Sequence, residues 1–319
     1  MTFVTPPLLA LIVGFAGSAL LGPRIIPLLR KLKIGQSIRE DGPASHLSKT
    51  GTPTMGGIIF IAGFLISLLI SGTINSRIIV VVISTLGFGL VGYLDDYIKV
   101  VKKRNLGLRA YQKILGQAAV TAFLVFYYMN YIHTDSHIIL PFAKMGFDFG
   151  ILTIPFLVFV IVGTVNAVNL TDGLDGLATG LSIIVFSAFS YIIYQAGYVD
   201  LSAAALGFVG ALGGFLIYNY NPARIFMGDT GSLALGGALS AFAVISGTPL
   251  FIPIIGGIFF AETLSVIIQV GYFKLTKKRF FRMAPLHHHY EQKGWREIKV
   301  VYVFWGVTLL LALVGIIAY

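Results

Sequence analysis

Apolar stretches of about the length needed to cross a bilayer recur along the whole chain, separated by short polar segments. They fall at 3–22, 55–71, 78–95, 114–132, 150–169, 177–195, 201–218, 231–246, 249–273 and 299–318. This pattern predicts an all-α, polytopic integral membrane bundle of about ten transmembrane helices, forming a single membrane-embedded domain over 1–319. An even number of spans puts both termini on the same side. Pro155 and Pro253 lie inside predicted spans and are candidate kinks or breaks. The one long connection on the far side, Tyr131 to Phe149, contains His133, Asp135, His137, Lys144 and Asp148 and is predicted to form a short hairpin or an amphipathic segment. No repeat of fixed period and no low-complexity segment interrupts the series.

Composition agrees with this reading. Of 319 residues, 56% are hydrophobic and only 11% charged, against about 25% charged in an ordinary soluble domain. Cysteine is absent, which excludes disulfides, thiolate metal sites and a thiol nucleophile. The first apolar run, Phe3 to Leu21, has no basic residue before it and meets Arg24 after it, the reverse of a signal peptide. It is therefore predicted to be a retained helix. The net charge of +10 is explained by topology rather than by a nucleic-acid partner. If the connections alternate sides, every Lys and Arg except Arg77 and Lys144 falls on one side. That side is cytoplasmic by the positive-inside rule, and the termini face out.

With sidedness set, the dense polar clusters all fall on the cytoplasmic face. They are Lys49 to Gly57, Asp95-Asp96 with Lys99, Asn166 to Asp175, Asn219 to Ser232, and Pro285 to His289. Asp172 and Asp175 share one face if helical, flanked by Asn166, Asn169 and Thr171 at the edge of a span, where ionisable groups are costly and usually functional. Carboxylates and amide oxygens suit a hard divalent cation such as Mg²⁺, whereas Lys, Arg, His and glycine-rich turns suit phosphate oxygens. A pyrophosphate carried on Mg²⁺ would need both.

Duller explanations accompany each cluster. Asp95-Asp96 could cap a span against the basic run Lys99 to Arg104, and Gly228-Asp229-Thr230-Gly231-Ser232 reads equally as a turn and helix start. The Gly176/Gly180, Gly210/Gly214 and Gly231/Gly236/Gly237 sets read as close helix packing. His287-His288-His289 lacks the spacing of a zinc site and fits an anion-binding loop better, lying between Lys274–Arg282 and Lys293–Arg296. Glu262, mid-span with Gln269 seven residues on, is a candidate buried helix-to-helix contact. Neither of the common soluble nucleotide-binding glycine motifs occurs.

The segments K-T-G-T-P-T-M-G-G (49–57), L-D-D-Y (94–97), N-A-V-N-L-T-D-G-L-D-G-L (166–177), F-M-G-D-T-G-S (226–232) and P-L-H-H-H-Y-E-Q-K-G-W-R-E (285–297) together resemble one family. It is the phospho-N-acetylmuramoyl-pentapeptide-transferases, within the polyprenyl-phosphate N-acetylhexosamine-1-phosphate transferases. The resemblance covers essentially the whole chain. It implies a Mg²⁺-dependent reaction at the plasma membrane in which undecaprenyl phosphate and UDP-MurNAc-pentapeptide give lipid I and UMP, a step of peptidoglycan synthesis. It further implies that Asp229 is the metal ligand, that Asp95 and Asp96 position or deprotonate the lipid phosphate, and that Asp172 with Asp175 acts at the pyrophosphate and nucleotide site. Asn166 and Asn169 would shape that site. Lys49, Thr54, Asn219, Phe226, His287, His288 and His289 would bind the UDP-sugar, with Phe226 placed to stack on uracil. A family lysine falls in the neighbourhood of Tyr111 and Lys113. The implied partners are the two substrates and membrane lipid, with no nucleic acid and with homodimerisation left open.

Two other readings compete. A sister transferase would move N-acetylglucosamine-1-phosphate to the same lipid, and a secondary transporter would use Asp172, Asp175 and Glu262 as ion sites. The P-L-H-H-H-Y-E-x-x-G-W loop argues against the first. Collection of the aspartates at one face, without an inverted repeat, argues against the second.

Overall fold

The computed structural model describes residues 6–32, 49, 51–100, 107–132, 138–143 and 145–319. His133, Asp135, His137 and Lys144 of the far-side connection lie outside the described residues, as do Lys33, Arg39 and Lys102 to Arg104 of the basic loops. The helices are α1 (Pro6–Lys31), α2 (Gly57–Ser71), α3 (Ser76–Val100), α4 (Ala110–Tyr127), α5 (Thr153–Thr171), α6 (Leu177–Gln195), α7 (Val199–Asn219), α8 (Gly228–Ile245), α9 (Ile252–Ile255), α10 (Gly257–Thr276), α11 (Leu286–Glu291) and α12 (Glu297–Ala318). Each of the ten predicted spans contains a helix, though α4, in the span predicted at 114–132, is not among those apolar enough to cross a membrane. Eight are long and apolar enough to cross a membrane by length and composition; α2 is apolar but shorter. The protein is a polytopic helical membrane protein.

Helix α8 is the hub, buried without interruption from Thr230 to Ile245. It packs against α2, α3, α5 and α6, while α1 closes on α7 and α2. Its sequence permits this, because Gly231, Ala234, Gly236, Gly237, Ala238, Ser240 and Ala241 leave little side chain between backbones. The predicted packing glycines of α7 behave in the same way: Gly210 and Gly214 lie against the backbone carbonyls of Leu11 and Phe15 on α1. Between these close contacts, Phe60, Phe64, Phe186, Phe208 and Phe242 form an edge-to-face and stacked aromatic core, with Phe64 and Phe208 centroids 4.7 Å apart.

The two prolines behave differently. Pro155 sits in the first turn of α5, where its missing N–H has no intrahelical partner to lose, and α5 is unbroken. The stretch around Pro253 is broken, with a 3-10 turn at Pro249–Phe251, the four-residue α9, and a restart at Gly257. The far-side connection contains a hairpin, β1 (Ile138–Leu140) antiparallel to β2 (Met145–Phe147), with Ile138 opposite Phe147.

The helix ends matter most for function. Helix α3 continues to Val100, one turn past the predicted span, so Asp95, Asp96 and Lys99 are helical. Helix α8 begins at Gly228, which brings Asp229 into its first turn, where a carboxylate is favoured by the helix dipole.

Candidate active site

The end of α3 and the start of α8 are held together by backbone approach. A Cβ on Gly92 would overlap the Asp229 carbonyl oxygen, so only glycine lets the two helices meet here. Asp96 then reaches across to the free N–H groups of α8. Its Oδ2 accepts from Thr230 N at 2.8 Å and Thr230 Oγ1 at 2.6 Å, and its Oδ1 accepts from Asp229 N at 3.2 Å. The capping role expected of this acidic pair is therefore real, but the capped helix is α8. Gly228, at φ +72°, admits this geometry: a Cβ there would stand 2.7 Å from both Asp96 Oδ2 and Thr54 Oγ1. Buried Thr54 thus borders the same turn.

Asp95, Asp96 and Asp229 each offer an oxygen within 4.8 Å of the others. Lys99 Nζ lies 2.5 Å from Asp95 Oδ2 and 2.9 Å from Asp229 Oδ2, and Lys113 Nζ stands 3.1 Å from the same Asp229 oxygen. Asn169 completes the ring: its Nδ2 donates to Asp229 Oδ1 (2.9 Å) and Ser232 Oγ (2.7 Å), and its Oδ1 accepts from Lys113 (3.1 Å). Behind it Asn166 donates to Gln117 Oε1 at 2.8 Å. The turn at Gly107 closes over Asp95, whose Oδ1 accepts from Leu108 N at 2.8 Å. The other Asp95 oxygen, Oδ2, is buried and ion-paired with the Lys99 ammonium. Three carboxylates with oxygens this close form a hard-oxygen set that suits a divalent cation, and the residues present fit one. The metal assignment made from sequence named Asp229 alone; Asp95 and Asp96 stand with it.

Asp172 follows α5 directly. Its carboxyl is pushed up to about 8, first by burial and then by the charges of Asp229, Asp96 and Asp175. It therefore belongs to the same acidic field. The ordinary value is 3.8, so the folded protein binds this proton more tightly than the unfolded chain. Stability from this group is complete below the ordinary value and falls as pH rises towards 8, levelling above it. In EDTA, wild-type Tm should drop between pH 5 and pH 8 more than that of Asp172→Asn. Identical slopes in thermal unfolding would refute the assignment.

A second ionic cluster lies where four segments meet. Lys49 Nζ bridges Asp175 Oδ1 (2.8 Å) and Glu297 Oε1 (2.6 Å). Asn221 Nδ2 donates to both carboxylates, and Ala223 N donates to Asp175 Oδ2 at 3.0 Å. Asn219 lies beside it, accepting from Thr179 Oγ1 (2.6 Å) and donating to the Ile225 carbonyl (3.1 Å). Phe226 is half-buried, with its backbone paired to Pro53 O and Gly56 N, which ties the 53–57 segment to the start of α8.

The histidines occupy α11. His287 is buried, its Nδ1 3.1 Å from Glu262 Oε1, and its ring lies directly against Gly173. His288 Nδ1 lies 2.8 Å from Glu291 Oε2. His289 Nδ1 accepts from Arg282 N, and burial, aided by the Lys293 and Arg282 charges, holds its imidazole below the usual range.

A family model, Glycosyl transferase family 4, matches residues 78–247, more than half of the chain and all of α3 to α8 except the first two residues of α3. Similarity to curated proteins extends further. The chain is 52% identical over 310 residues to a phospho-N-acetylmuramoyl-pentapeptide-transferase of Clostridioides difficile strain 630, covering 96% of each. A protein of that name from Shouchella clausii is 49% identical over 314 residues, covering 97% of this chain and 96% of its own. This chain belongs to the phospho-N-acetylmuramoyl-pentapeptide-transferase family. Another relative with that name, from a Thermoanaerobacter species, is 52% identical over 303 residues, covering 95% of each chain.

Sequence reasoning missed part of the site. Lys99 was read as a charge balancing a cap, while Asn221 and Glu297 stood inside a polar cluster and a motif with no role of their own. Nothing in their local sequence predicts the ion pairs of Lys99 and Glu297 or the hydrogen bonds of Asn221. Gln117, inside a predicted span, had no signal of its own, and Ser232 had only its place in the motif at 226–232.

Proposed function

We propose that this chain transfers phospho-MurNAc-pentapeptide from UDP-MurNAc-pentapeptide to undecaprenyl phosphate, giving lipid I and UMP in peptidoglycan synthesis. The observation that carries the reading is the meeting of Asp95, Asp96 and Asp229 with Lys99, Lys113 and Asn169, a site able to manage both a divalent cation and phosphate oxygens. Asp95, Asp96 and Asp229 would hold Mg²⁺, which when bound neutralises phosphate charge. Asp96 also fixes the start of α8, so that Asp229 is presented in a constant orientation. The lipid phosphate is already anionic near neutral pH, since the second pKa of a phosphate monoester is about 6. Asp95 therefore needs to orient that phosphate, or take its last proton, rather than generate a strong nucleophile. Lys99 and Lys113 supply ammonium donors for the phosphates, as in phosphoryl transfer generally. Asp172, whose carboxyl burial and the neighbouring acids hold above the ordinary range, acts with Asp175 at the pyrophosphate and nucleotide site. Lys49, Thr54, Asp175, Asn219, Phe226 and His287 to His289 form the nucleotide-sugar side, and Asn166, bonded to Gln117, ties α5 to α4 one turn before Asn169.

The site faces the cytoplasm in this reading. The distribution of basic residues supports it, and Arg77 lies at the end of α3 opposite Asp95 and Asp96. The whole chain acts as one membrane-embedded domain. Purified protein with undecaprenyl phosphate, Mg²⁺ and UDP-MurNAc-pentapeptide should release UMP, and UDP-GlcNAc in its place should not. UMP release from UDP-GlcNAc alone would transfer the reading to the sister activity. Asp95→Asn should lower lipid I formation by at least about a hundredfold, the scale of losing one electrostatic contact to the reacting group. A near-normal rate would reduce Asp95 to a structural cap.

A further inference from the structure

Helix α10 is mostly exposed; of its twenty residues only Phe259, Glu262 and Ser265 are buried. A carboxylate is an expensive member of that set, and Glu262 is fully buried. Its Oε1 accepts from the His287 backbone N–H at 3.2 Å and lies 3.1 Å from His287 Nδ1. Both the main chain and the ring of His287 are therefore held by one oxygen. The ring's other nitrogen, Nε2, is buried without a hydrogen-bond partner and is pressed against Gly173, where an added Cβ would collide with it. Gly173 directly follows Asp172, and the same short turn ends in Asp175 and Gly176.

We propose that Glu262 is a positioning residue for the nucleotide-sugar side of the site, acting through His287 to set the Asp172–Gly176 turn. It forms a chain of two contacts joining three elements, from the exposed α10 through α11 to the turn between α5 and α6. Glu262 touches no substrate. Its effect reaches the acidic turn because His287 is rigid between a hydrogen-bonded carboxylate and a glycine that allows no gap. The inference deepens the functional proposal above and rests on it for its kinetic arm.

The test compares Glu262→Ala and Glu262→Gln in the full-length protein. Amide hydrogen exchange comes first, because it needs no activity. Glu262→Ala should speed exchange at His287 and, with it, across Asp172–Gly176, and Glu262→Gln, which keeps an acceptor oxygen, should restore most protection at both. Kinetically, Glu262→Ala should raise KM for UDP-MurNAc-pentapeptide by about tenfold or more, the scale of losing a supporting contact one step behind a site. KM for undecaprenyl phosphate should stay within about twofold. Unchanged exchange in Glu262→Ala would overturn the proposal. So would loosening of α11 that leaves the 172–176 turn protected, failure of Glu262→Gln to rescue, or an equal rise in both KM values, which marks a general structural defect. A wild-type protein that releases no UMP would defeat the functional reading instead, while the exchange result still decides the positioning role.

Discussion

Asp229→Ala should abolish transfer, lowering UMP release by at least about a thousandfold, equivalent to roughly 4 kcal/mol of barrier, and high Mg²⁺ should not restore it. Asp229 is where the site's connections converge. Its two oxygens meet Lys99, Lys113 and Asn169, and its backbone N–H donates to Asp96. Removing the carboxylate takes one oxygen from the metal-binding set and leaves two ammonium groups repelling each other where they had shared a counter-charge. Repair by mass action requires an intact donor set, which excess cation cannot supply. The fold should survive, because the α8 start keeps the Asp96 bonds to Thr230, so Tm in detergent should fall only modestly. Turnover at the wild-type rate would remove Asp229 from the mechanism.

Gly92→Ala should be nearly as damaging without touching a single reactive atom. Its new Cβ would collide with the Asp229 carbonyl oxygen and stand 2.7 Å from Thr230 N. Backbone cannot step aside as a side chain can, so α3 and α8 must separate. Overpacking of this kind costs about 1–3 kcal/mol of stability. Asp95 and Asp96 move with α3 and Asp229 with α8, and a displacement of about 1 Å between catalytic groups is worth roughly a hundredfold in rate. The expected result is thus a fall in Tm together with a loss of about a hundredfold in UMP release. Gly271→Ala is the matched control, since a Cβ at Gly271 meets nothing within 4 Å and should change neither quantity. Wild-type rates from Gly92→Ala would show that the separation of the two helices is not what aligns the carboxylates.

Much of this was legible along the chain. Runs of apolar residues specify helices, because in lipid every backbone polar group must be satisfied within its own segment. The eight helices long and apolar enough to cross a membrane accordingly fall where hydropathy puts them. The motifs carried the family and pointed to Asp95, Asp96 and Asp229, which the fold brings together, since such residue types have few reasons to sit at the edge of a span. Boundaries were less legible. Hydropathy ended α3 at Asp95 and opened α8 after Asp229, yet both carboxylates lie within helices, because partners from the other helix satisfy the end that lipid cannot.

The sequence by itself determined that this is a bundle of membrane helices with acidic, basic and amide groups gathered at one end. Only the tertiary structure decided how those groups are shared out. It made Asp96 a cap for α8, Lys49 a bridge between Asp175 and Glu297, and Glu262 the anchor of His287. The physical reason is that hydropathy and helix formation are settled within a turn or a span. An ion pair between Lys49 and Glu297, 248 positions apart, exists only after the helices have packed.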